Sequence, residues 1–442
     1  MPVGFSIGPT KGHQLLIFDN KYKIVTNMTK LSEELSWRGF VNQTTYKDIT
    51  ELDKQPIVFY WGVDPSAKSM HIGQLAMAMM IRHFIEHGHK PILLVGGATG
   101  LIGDPDGKDD ERELISVEEI NSNKQGIAKQ YKQLFAGYEV PMVDNYDWFK
   151  NINYLDFLRN IGKHVPMSQM LGREFIQTRL GENGSGISYA EFSYSLIQGY
   201  DFLHLYKDYG VSLQVCGSDQ WGNSIAGVEL IRRIEGVEAN IWSAPLIINK
   251  STGKKFGKSE AGAVWLDESL TSVYKFYQFW LNVDDQGVEE YLKIYTMLDK
   301  DEINSLMDEF KQNPGERLAQ KTLAYSITKI THGQQRADSV KIITEVLFGG
   351  RDYSELSETD FAELGNELGV IHNNEESSIL DLLVAGQLAS SKGEARRFLE
   401  AGAVYINGKQ VDREAHKFLH SDFINGYAVL RRGKNNQVIV KK

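Results

Sequence analysis

The chain has 442 residues, 42% of them hydrophobic, and a formal net charge of −10, so its length predicts two or three domains with sizeable cores. Its single cysteine, Cys216, excludes a disulfide framework and a zinc site of several thiolates, and it suits a reducing cytosol. No apolar run reaches the roughly 18 residues of a membrane helix, so we expect a cytoplasmic protein without a membrane span.

The first 30 residues lack the basic stretch, apolar core and small-residue cleavage site of a secretory signal. We expect residues 1–30 to be an N-terminal extension. A helix is predicted to start just after Met28, so the globular part should begin near residue 31.

A strand, a helix and a second strand are predicted over residues 56–60, 71–88 and 91–96. Both strands are short apolar runs, PIVFY and PILLVG, and Gly88 stops the helix. Such a βαβ unit implies parallel strands with helices on the faces of the sheet. We therefore predict an α/β protein whose residues 31–250 form a Rossmann-like, parallel-sheet domain.

The predicted helix opens on a histidine, within the segment FYWGVDPSAKSMHIGQ of residues 59–74. The free N–H groups and the dipole of a helix N-terminus favour phosphate, and Gly73 leaves a flat surface beside His71 for a nucleotide base. The glycine-rich loop 96–107 follows the second strand, at the sheet edge where ligands bind. Taken alone, the segment is equally compatible with an ordinary helix start and a solvated histidine.

The middle of the chain is predicted to be mostly helical over residues 116–210. A strand at 211–216 follows, and then the polar loop GSDQWGN and a helix that runs through Arg233. This repeats the succession of strand, polar loop and helix seen around His71.

A basic loop at residues 251–262 contains the string KFGKS. Two lysines that flank Phe-Gly, Lys255 and Lys258, can cover a triphosphate and neutralise the charge of a leaving pyrophosphate. By itself such a string is usually a surface loop.

The rest of the chain divides by composition. Helical periodicity predicts an α-helical domain over residues 263–348, an acidic stretch predicts a linker over 349–375, and a small α+β module is predicted over 376–442. From Glu375 onward, 11 basic and 8 acidic residues give a net charge of +3 and leave −13 for the remainder. This indicates phosphate contacts confined to the last module, although a solvated charged tail has the same composition.

Five motifs in a fixed order make one family resemblance specific: FYWGVDPSAKSMHIGQ, GGATGLIGDPDGK, YSLIQGYDFLHLY, GSDQWGN and KFGKS. From about residue 31 to its end, the chain resembles the bacterial-type tyrosyl-tRNA synthetases, which are class I aminoacyl-tRNA synthetases. The resemblance implies a ligase that activates L-tyrosine with ATP, releases pyrophosphate and transfers tyrosine to the 3′ end of tRNA(Tyr). It also implies a homodimer, built through a helical insertion at about residues 145–190, and a helical domain that contacts the anticodon side.

The resemblance assigns residues to the binding of tyrosine. Tyr60 and Asp201 match the hydroxyl and the carboxylate that bind the substrate phenol, a buried pair that phenylalanine would leave unsatisfied. The positions that hold the α-ammonium group or lie near the carboxylate and the adenylate are Tyr194, Gln198, Asp104 and Gln220.

The resemblance assigns a second group of residues to ATP. The residues expected near the adenosine and the ribose are Asp64, Gly73, Gly217 and Asp219. Ser66 and His71 match groups on the γ-phosphate side. The mobile set that stabilises the transition state matches Lys108, Arg112, Lys255, Lys258 and Ser259. No protein nucleophile or general base is implied, and Mg²⁺ is expected to arrive with ATP through phosphate oxygens, without a protein-bound metal.

Two positions depart from the family's pattern. Gln74 stands where many members have a second histidine, so it can form a hydrogen bond but carries no positive charge. More of the phosphate charge should then fall on His71, Lys255 and Lys258. Trp61 stands where a small residue such as cysteine is common, and its ring can press on the ribose or point elsewhere.

Residues 390–411, SSKGEARRFLEAGAVYINGKQV, resemble an S4-type RNA-binding domain. A capping box of Ser391 and Glu394 predicts a helix start. Arg396 and Arg397 lie on that helix as candidate RNA contacts, with solvated helix positions as the alternative.

Three other functions share some of these features. A tryptophan-specific relative is disfavoured by Tyr60 and Asp201, because indole has no phenolic hydroxyl. A non-catalytic RNA-binding protein would be indicated by loss of Lys258 or of the tyrosine pocket, and neither is lost. A small-molecule nucleotidyltransferase would not need the C-terminal RNA module.

Two further features suggest other chemistry. The H-x-x-E-H string of residues 83–87 matches a zinc protease motif, but no third ligand can be named, so we expect His83 and His87 to be helix-surface histidines. Cys216 is expected to be a buried small residue, since a reactive thiol needs an electropositive neighbour.

Overall fold

The computed structural model describes residues 29–105, 114–172, 174–182, 184–253, 256, 258–259, 262–348, 350–374, 377–415, 417–433 and 436–442. At positions 169, 174, 175, 258 and 259 it describes the backbone alone. The predicted extension 1–30 therefore lies almost wholly outside the described residues.

In the described part of the chain, a six-stranded sheet forms the centre of the N-terminal half. Its strands are β1 (Gln43–Thr44), β2 (Val58–Val63), β3 (Lys90–Val95), β4 (Met142–Asp144), β5 (Val211–Gly217) and β6 (Asn240–Ala244). They lie in the order β1-β6-β5-β2-β3-β4, and every neighbouring pair is parallel except β1–β6. The chain runs from β2 towards β3 and β4 on one side and resumes with β5 and β6 on the other. The predicted Rossmann-like α/β fold is confirmed, with a switch point between β2 and β5.

Helices cover both faces of this sheet. The alternation along β2 shows why: Phe59 and Trp61 enter the core formed with helices on one face, whereas Tyr60 enters the core on the other. The helices are α1 (Leu31–Arg38), α2 (Ile72–Glu86), α3 (Thr99–Ile102), α4 (Val117–Leu134), α5 (Tyr146–Phe149), α6 (Tyr154–Asn160), α7 (Met167–Leu171), α8 (Glu174–Leu180), α9 (Tyr189–Tyr209) and α10 (Trp221–Glu235). None of the helices in the described part of the chain is long and apolar enough to cross a membrane.

A helical region follows a short hairpin. The hairpin strands are β7 (Lys258–Ser259) and β8 (Gly262–Ala263), and the helices are α11 (Val273–Leu281), α12 (Val288–Tyr295), α13 (Lys300–Gln312), α14 (Leu318–His332) and α15 (Gln334–Leu347). These helices share one hydrophobic core with α1, α2 and α4. The helical region therefore packs directly against the face of the sheet domain that carries α2.

The C-terminal module is a second sheet with helices on both sides. Its elements are α16 (Glu358–Leu368), β9 (Val370–His372), α17 (Ile379–Ala385), α18 (Lys392–Glu400), β10 (Val404–Ile406), β11 (Lys409–Gln410), β12 (Tyr427–Arg432) and β13 (Asn436–Lys441). The strand order is β11-β10-β12-β13-β9. One core lies between the sheet and α17 and α18, and another lies between the sheet and α15 and α16.

The prediction of a linker over residues 349–375 is wrong. The segment forms α16 and β9, and β9 pairs in parallel with β13. Phe361 of α16 stacks on Tyr427, with ring centroids 5.4 Å apart. The acidic composition hid a helix because only its few large apolar residues, Phe361, Leu364 and Leu368, pack into the core.

The capping box predicted at Ser391 is only half present. The Ser391 hydroxyl accepts a hydrogen bond from the Glu394 backbone N–H at 3.2 Å, as expected for an N-cap. The Glu394 carboxylate, however, accepts from the backbone N–H of Ser390 at 2.7 Å, not from that of Ser391. The helix still begins where the sequence predicts.

Candidate active site

A cavity of about 380 Å³ opens at the carboxyl ends of β2 and β5, beside the switch point of the sheet. The predicted site residues that line it are Tyr60, Asp64, Ser66, His71, Gly73, Asp104, Tyr194, Gln198, Asp201, Gly217, Asp219 and Gln220. Lys108, Arg112 and Lys255 lie outside the described residues, and for Lys258 and Ser259 only the backbone is described. The structure thus brings together predicted site residues from four of the five motifs.

Tyr60 and Asp201 form a buried polar pair on one side of this cavity. Each is 2% exposed, and the Tyr60 hydroxyl has no hydrogen-bond partner among the described residues. Burial raises the pKa of the Asp201 carboxyl well above its ordinary value, against the opposing effect of the hydrogen bonds it accepts. An unpaired buried hydroxyl costs free energy that a ligand hydroxyl can recover.

Asn145 and Trp148 orient the Asp201 carboxylate, and the sequence reading did not find them. The Trp148 indole N–H donates to Oδ1 at 2.9 Å, and the Asn145 amide donates to Oδ2 at 3.0 Å. Both residues follow β4, a three-residue strand hidden in a stretch predicted to be helical. No motif marks them, because their role depends on where β4 ends relative to α9.

A hydrogen-bonded chain links the residues assigned to tyrosine with a residue assigned to ATP. The Tyr194 hydroxyl donates to Asp64 Oδ2 at 2.6 Å, and the Thr99 hydroxyl donates to Asp64 Oδ1 at 2.6 Å. The Asn145 amide donates to the Thr99 hydroxyl at 3.0 Å and so closes the chain to Asp201. Burial, followed by the charge of Asp64, raises the pKa of Tyr194 well above its ordinary value, so its hydroxyl keeps its proton.

A second polar cluster lies between the glycine-rich loop and the GSDQWGN loop. The Gln220 amide donates to Asp104 Oδ2 at 2.5 Å, and the Asn223 amide donates to Asp104 Oδ1 at 3.4 Å and to Gln220 Oε1 at 3.2 Å. Asn223 belongs to the quoted motif but was not assigned a role. It holds together two residues that the resemblance places near the α-amino and carboxylate groups.

The N-terminus of α2 shows what Gln74 does. The His71 backbone N–H donates to Gln74 Oε1 at 2.8 Å, and the Gly73 backbone N–H donates to His71 Nδ1 at 2.9 Å. A neutral His71 ring with an accepting Nδ1 carries its proton on Nε2. Gln74 therefore completes a capping box and supports His71 instead of adding charge.

Gly73 is required by the same histidine. A Cβ added at this position would lie 2.7 Å from His71 Cε1, which is shorter than a carbon–carbon contact. The glycine predicted to accommodate a nucleotide base is therefore also the residue that allows the His71 ring to fold back over its own helix.

The open question about Trp61 is answered by packing. Trp61 borders the cavity, but it is buried, and its ring lies 5.3 Å from that of Tyr131 on α4. The ring occupies the core on the α4 side, while Tyr60 points to the opposite side of the sheet.

The H-x-x-E-H string has a structural explanation. His83 is buried, not on the helix surface as expected, and burial lowers its pKa well below its ordinary value. A ring nitrogen of His87 lies 2.7 Å from the His83 carbonyl oxygen, and the other lies 2.9 Å from that of Thr29. Among the described residues, no group of three or more His, Cys, Asp or Glu side chains is placed to hold a metal ion.

Cys216 is a buried residue at the end of β5, as expected. Burial raises the pKa of its thiol to about 12, and the Ser224 hydroxyl donates to the sulfur at 3.5 Å. A thiol with such a pKa is almost entirely protonated at neutral pH, so it is a poor nucleophile.

The candidate RNA contacts lie on one helix of the C-terminal module. Arg396 and Arg397 are exposed on α18. On the neighbouring strand β12, the Arg431 guanidinium stacks over the Tyr405 ring at 4.4 Å and that of Arg432 over the Phe398 ring at 4.9 Å. The basic residues counted in the sequence are thus partly ordered by aromatic neighbours.

Comparison with known proteins agrees with this geometry. The family model for class I tRNA synthetases (W and Y) matches residues 52–349, and the model for the C-terminal domain of SYY-like tyrosine–tRNA ligases matches residues 361–440. The chain is 44% identical over 418 residues to the tyrosine–tRNA ligase of Staphylococcus haemolyticus, which covers 93% of this chain and 98% of the relative. It is 43% identical over 420 residues to the tyrosine–tRNA ligase of Staphylococcus carnosus, and this match covers 93% of this chain and 99% of the relative.

Among solved structures, the chain is similar to a C-terminally truncated mitochondrial tyrosyl-tRNA synthetase of Aspergillus nidulans. The TM-score is 0.66 at 31% identity, and the match covers 73% of this chain and 95% of that one. The first family model admits both the tryptophan and the tyrosine enzymes, whereas the C-terminal model and the relatives are all tyrosine enzymes. The chain belongs to the tyrosine–tRNA ligase family of class I aminoacyl-tRNA synthetases.

Proposed function

We propose that this chain activates L-tyrosine with ATP and transfers the tyrosyl group to the 3′ end of tRNA(Tyr). The observation that carries the proposal is a single cavity bordered both by the buried Tyr60–Asp201 pair and by the N-terminus of α2. The pair offers a hydrogen-bonding partner to a phenolic hydroxyl, and the helix N-terminus favours phosphate. A tyrosine and an ATP bound in this cavity would meet at the carboxylate and the α-phosphorus.

The proposed reaction needs positioning and charge stabilisation. The tyrosine carboxylate oxygen attacks the α-phosphorus, a new P–O bond forms, and the bond to the leaving pyrophosphate breaks. The ribose hydroxyl at the tRNA 3′ end then attacks the carbonyl carbon, and AMP leaves. His71, together with the lysine and arginine set of the resemblance, would stabilise the charge on the phosphates during the first step.

The carboxylates of the cavity fit a Mg²⁺ ion that is held mainly by ATP. Asp64 accepts hydrogen bonds from Tyr194 and Thr99, and Asp104 accepts them from Gln220 and Asn223. These oxygens are engaged in the protein's own network, which suits an ion bound by phosphate oxygens and water. When bound, Mg²⁺ would neutralise phosphate charge.

The C-terminal module supports the assignment of tRNA as the second substrate. From Glu375 onward the net charge is +3, against −13 for the rest of the chain, and Arg396 and Arg397 are exposed on α18. Contacts to phosphate and sugar from such a face position an RNA without reading its sequence. A cytoplasmic location fits an enzyme of protein synthesis with one buried, reduced cysteine.

An ATP–pyrophosphate exchange assay with purified enzyme tests the amino-acid specificity. We expect exchange with tyrosine and none above background with tryptophan, because an indole leaves the Tyr60–Asp201 pair unsatisfied. Exchange with tryptophan alone would assign the chain to the other branch of the family model. Charging of a tRNA transcript with labelled tyrosine then tests the second step.

We also propose that the enzyme is a homodimer formed through residues 145–190. Large exposed apolar side chains concentrate in and beside this segment: Tyr154, Leu155, Met167, Leu180 and Tyr189. Such a concentration is unusual on a monomer and marks an interaction surface.

Replacing Leu155 by glutamate should raise the dimer dissociation constant at least about 100-fold, because burying an unpaired carboxylate in an apolar interface costs several kcal/mol. Light scattering over a concentration series measures it. Phe348→Glu is a matched control, since Leu155 and Phe348 are both 71% exposed and Phe348 lies outside the segment. A monomeric wild type, or equal behaviour of the two variants, would contradict the proposed interface.

A further inference from the structure

Helix α12 contacts both of the segments assigned to ATP. The Tyr295 hydroxyl, at the end of α12, donates to the backbone carbonyl of Ile72 at 3.1 Å, and Ile72 is the first residue of α2. The Tyr295 ring also lies 6.2 Å from that of Phe256, the aromatic residue of the KFGKS string. The two segments lie far apart in the chain, at Ile72 and Phe256, and therefore meet on one helix that was not assigned a role.

Phe256 is held in an aromatic socket, formed by Phe279 and Trp280 of α11 and by Tyr291 and Tyr295 of α12. Phe256 is 8% exposed and stacks on Tyr291 with a centroid distance of 4.3 Å and an interplanar angle of 20°. Its distances to Phe279 and Trp280 are 5.5 and 5.7 Å. Stacked aromatic pairs are more stable than their buried area alone predicts.

Backbone contacts fix the same region. The Phe256 N–H donates to the Ile247 carbonyl at 2.8 Å, and the Ile72 N–H donates to the Val264 carbonyl at 3.1 Å. Gly287, the residue before α12, makes room for the socket, because a Cβ there would lie 2.6 Å from the Tyr291 ring. The described residues on both sides of the lysine loop are thus anchored.

We propose that α12 is a positioning element for ATP activation: Tyr295 and the aromatic socket hold the N-terminus of α2 and Phe256 of the KFGKS string at a fixed separation. The inference rests on the proposed function. Charge that develops on the departing pyrophosphate is stabilised only by groups placed before the reaction, and a displacement of about 1 Å can cost about 100-fold in rate. Phe256 stands in the sequence between Lys255 and Lys258, the two lysines that the resemblance assigns to this charge.

Tyr295→Phe tests this inference, because it removes only the hydroxyl that reaches Ile72. We expect kcat for tyrosine-dependent exchange to fall about tenfold, or the KM for ATP to rise by a similar factor, while the KM for tyrosine stays within about twofold of wild type. Tyrosine binds beside β2 and α9, which Tyr295 does not support. A shift in the tyrosine KM equal to that for ATP would point to general loosening and would overturn the proposal.

Thr296→Val is the matched control for a purely structural role. The Thr296 hydroxyl, also buried and at the same end of α12, donates to the Leu292 carbonyl at 2.7 Å. Its loss should lower stability about as much as Tyr295→Phe but leave exchange kinetics within about twofold of wild type. Urea unfolding of both variants checks that they fold. If the two variants have the same kinetics, α12 is ordinary core packing and the inference fails.

Phe256→Leu supplies a second, independent arm. It removes the stacking on Tyr291 and should lower kcat without changing the KM for tyrosine. When Phe256→Leu is combined with Tyr295→Phe, the fold-decrease in kcat should differ by at least threefold from the product of the two single-variant decreases. The reason is that both residues belong to the same support. Multiplicative losses would overturn a shared support. A wild type without tyrosine-dependent exchange would instead contradict the proposed function.

Discussion

Asp201→Asn is expected to lower kcat/KM for tyrosine by about 100-fold while changing that for phenylalanine by less than about threefold. The substitution disrupts the acceptor of the substrate hydroxyl, and a buried donor left unsatisfied costs about 1–3 kcal/mol, which corresponds to between about 5- and 150-fold. The substitution also replaces one accepting oxygen by an NH2 group, so that a donor faces the N–H of Asn145 or of Trp148, which donate to Asp201 at 3.0 and 2.9 Å. Exchange kinetics with both amino acids measure the selectivity.

The KM for ATP separates a loss of tyrosine recognition from damage to the whole site. It should stay within about twofold of wild type, because Asp201 is linked to Asp64 on the nucleotide side indirectly, through the hydrogen bonds of Asn145 and Thr99. Asp208→Asn is a control on the same helix, α9, where the carboxylate is partly exposed and faces His204. If Asp201→Asn leaves the ratio of tyrosine to phenylalanine unchanged, the phenol is bound elsewhere.

Arg38→Met is expected to reduce the free energy of unfolding by about 3–5 kcal/mol, the usual cost of removing one partner of a buried ionic network. Arg38 is 2% exposed. Its guanidinium donates to the backbone carbonyls of Lys293, Thr296 and Leu298 at 2.6, 3.1 and 2.6 Å, and to Glu34 at 2.6 Å. It therefore caps the C-terminus of α12 from α1 and neutralises a partly buried carboxylate.

Chemical denaturation at neutral pH measures this loss. Arg232→Met is the control, since Arg232 is exposed and pairs with Glu229 on the protein surface, where such pairs contribute at most about 1 kcal/mol. For Arg38→Lys, the loss in free energy of unfolding should lie between those of Arg38→Met and Arg232→Met, because an ammonium group cannot reach three carbonyls and a carboxylate together. An Arg38→Met variant within 1 kcal/mol of wild type would show that the carbonyls find other partners.

Local pattern was sufficient where a signal lies within a few residues. The strand containing Tyr60, the helix opened by His71 and the strand ending at Cys216 are all visible as short apolar runs followed by polar loops, and the structure places each within a few residues of its predicted bounds. Residues 349–375 were predicted to be a linker because they are acidic, but a helix that buries one narrow face needs few apolar residues. His83 was predicted to lie on the helix surface and is buried, since the local sequence does not show whether a histidine is buried.

The sequence by itself determined the α/β fold, because strand periodicity and helix starts are read along the chain. Its motifs, through the family resemblance, also nominated the two segments for ATP and the Tyr60–Asp201 pair for tyrosine. Only the tertiary structure decided which residues orient them. Asn145 and Trp148 meet Asp201 across more than 50 positions, and Tyr295 meets Ile72 across more than 200. Such contacts follow from how helices pack on a sheet, and side-chain packing at that range leaves no periodic trace in the sequence.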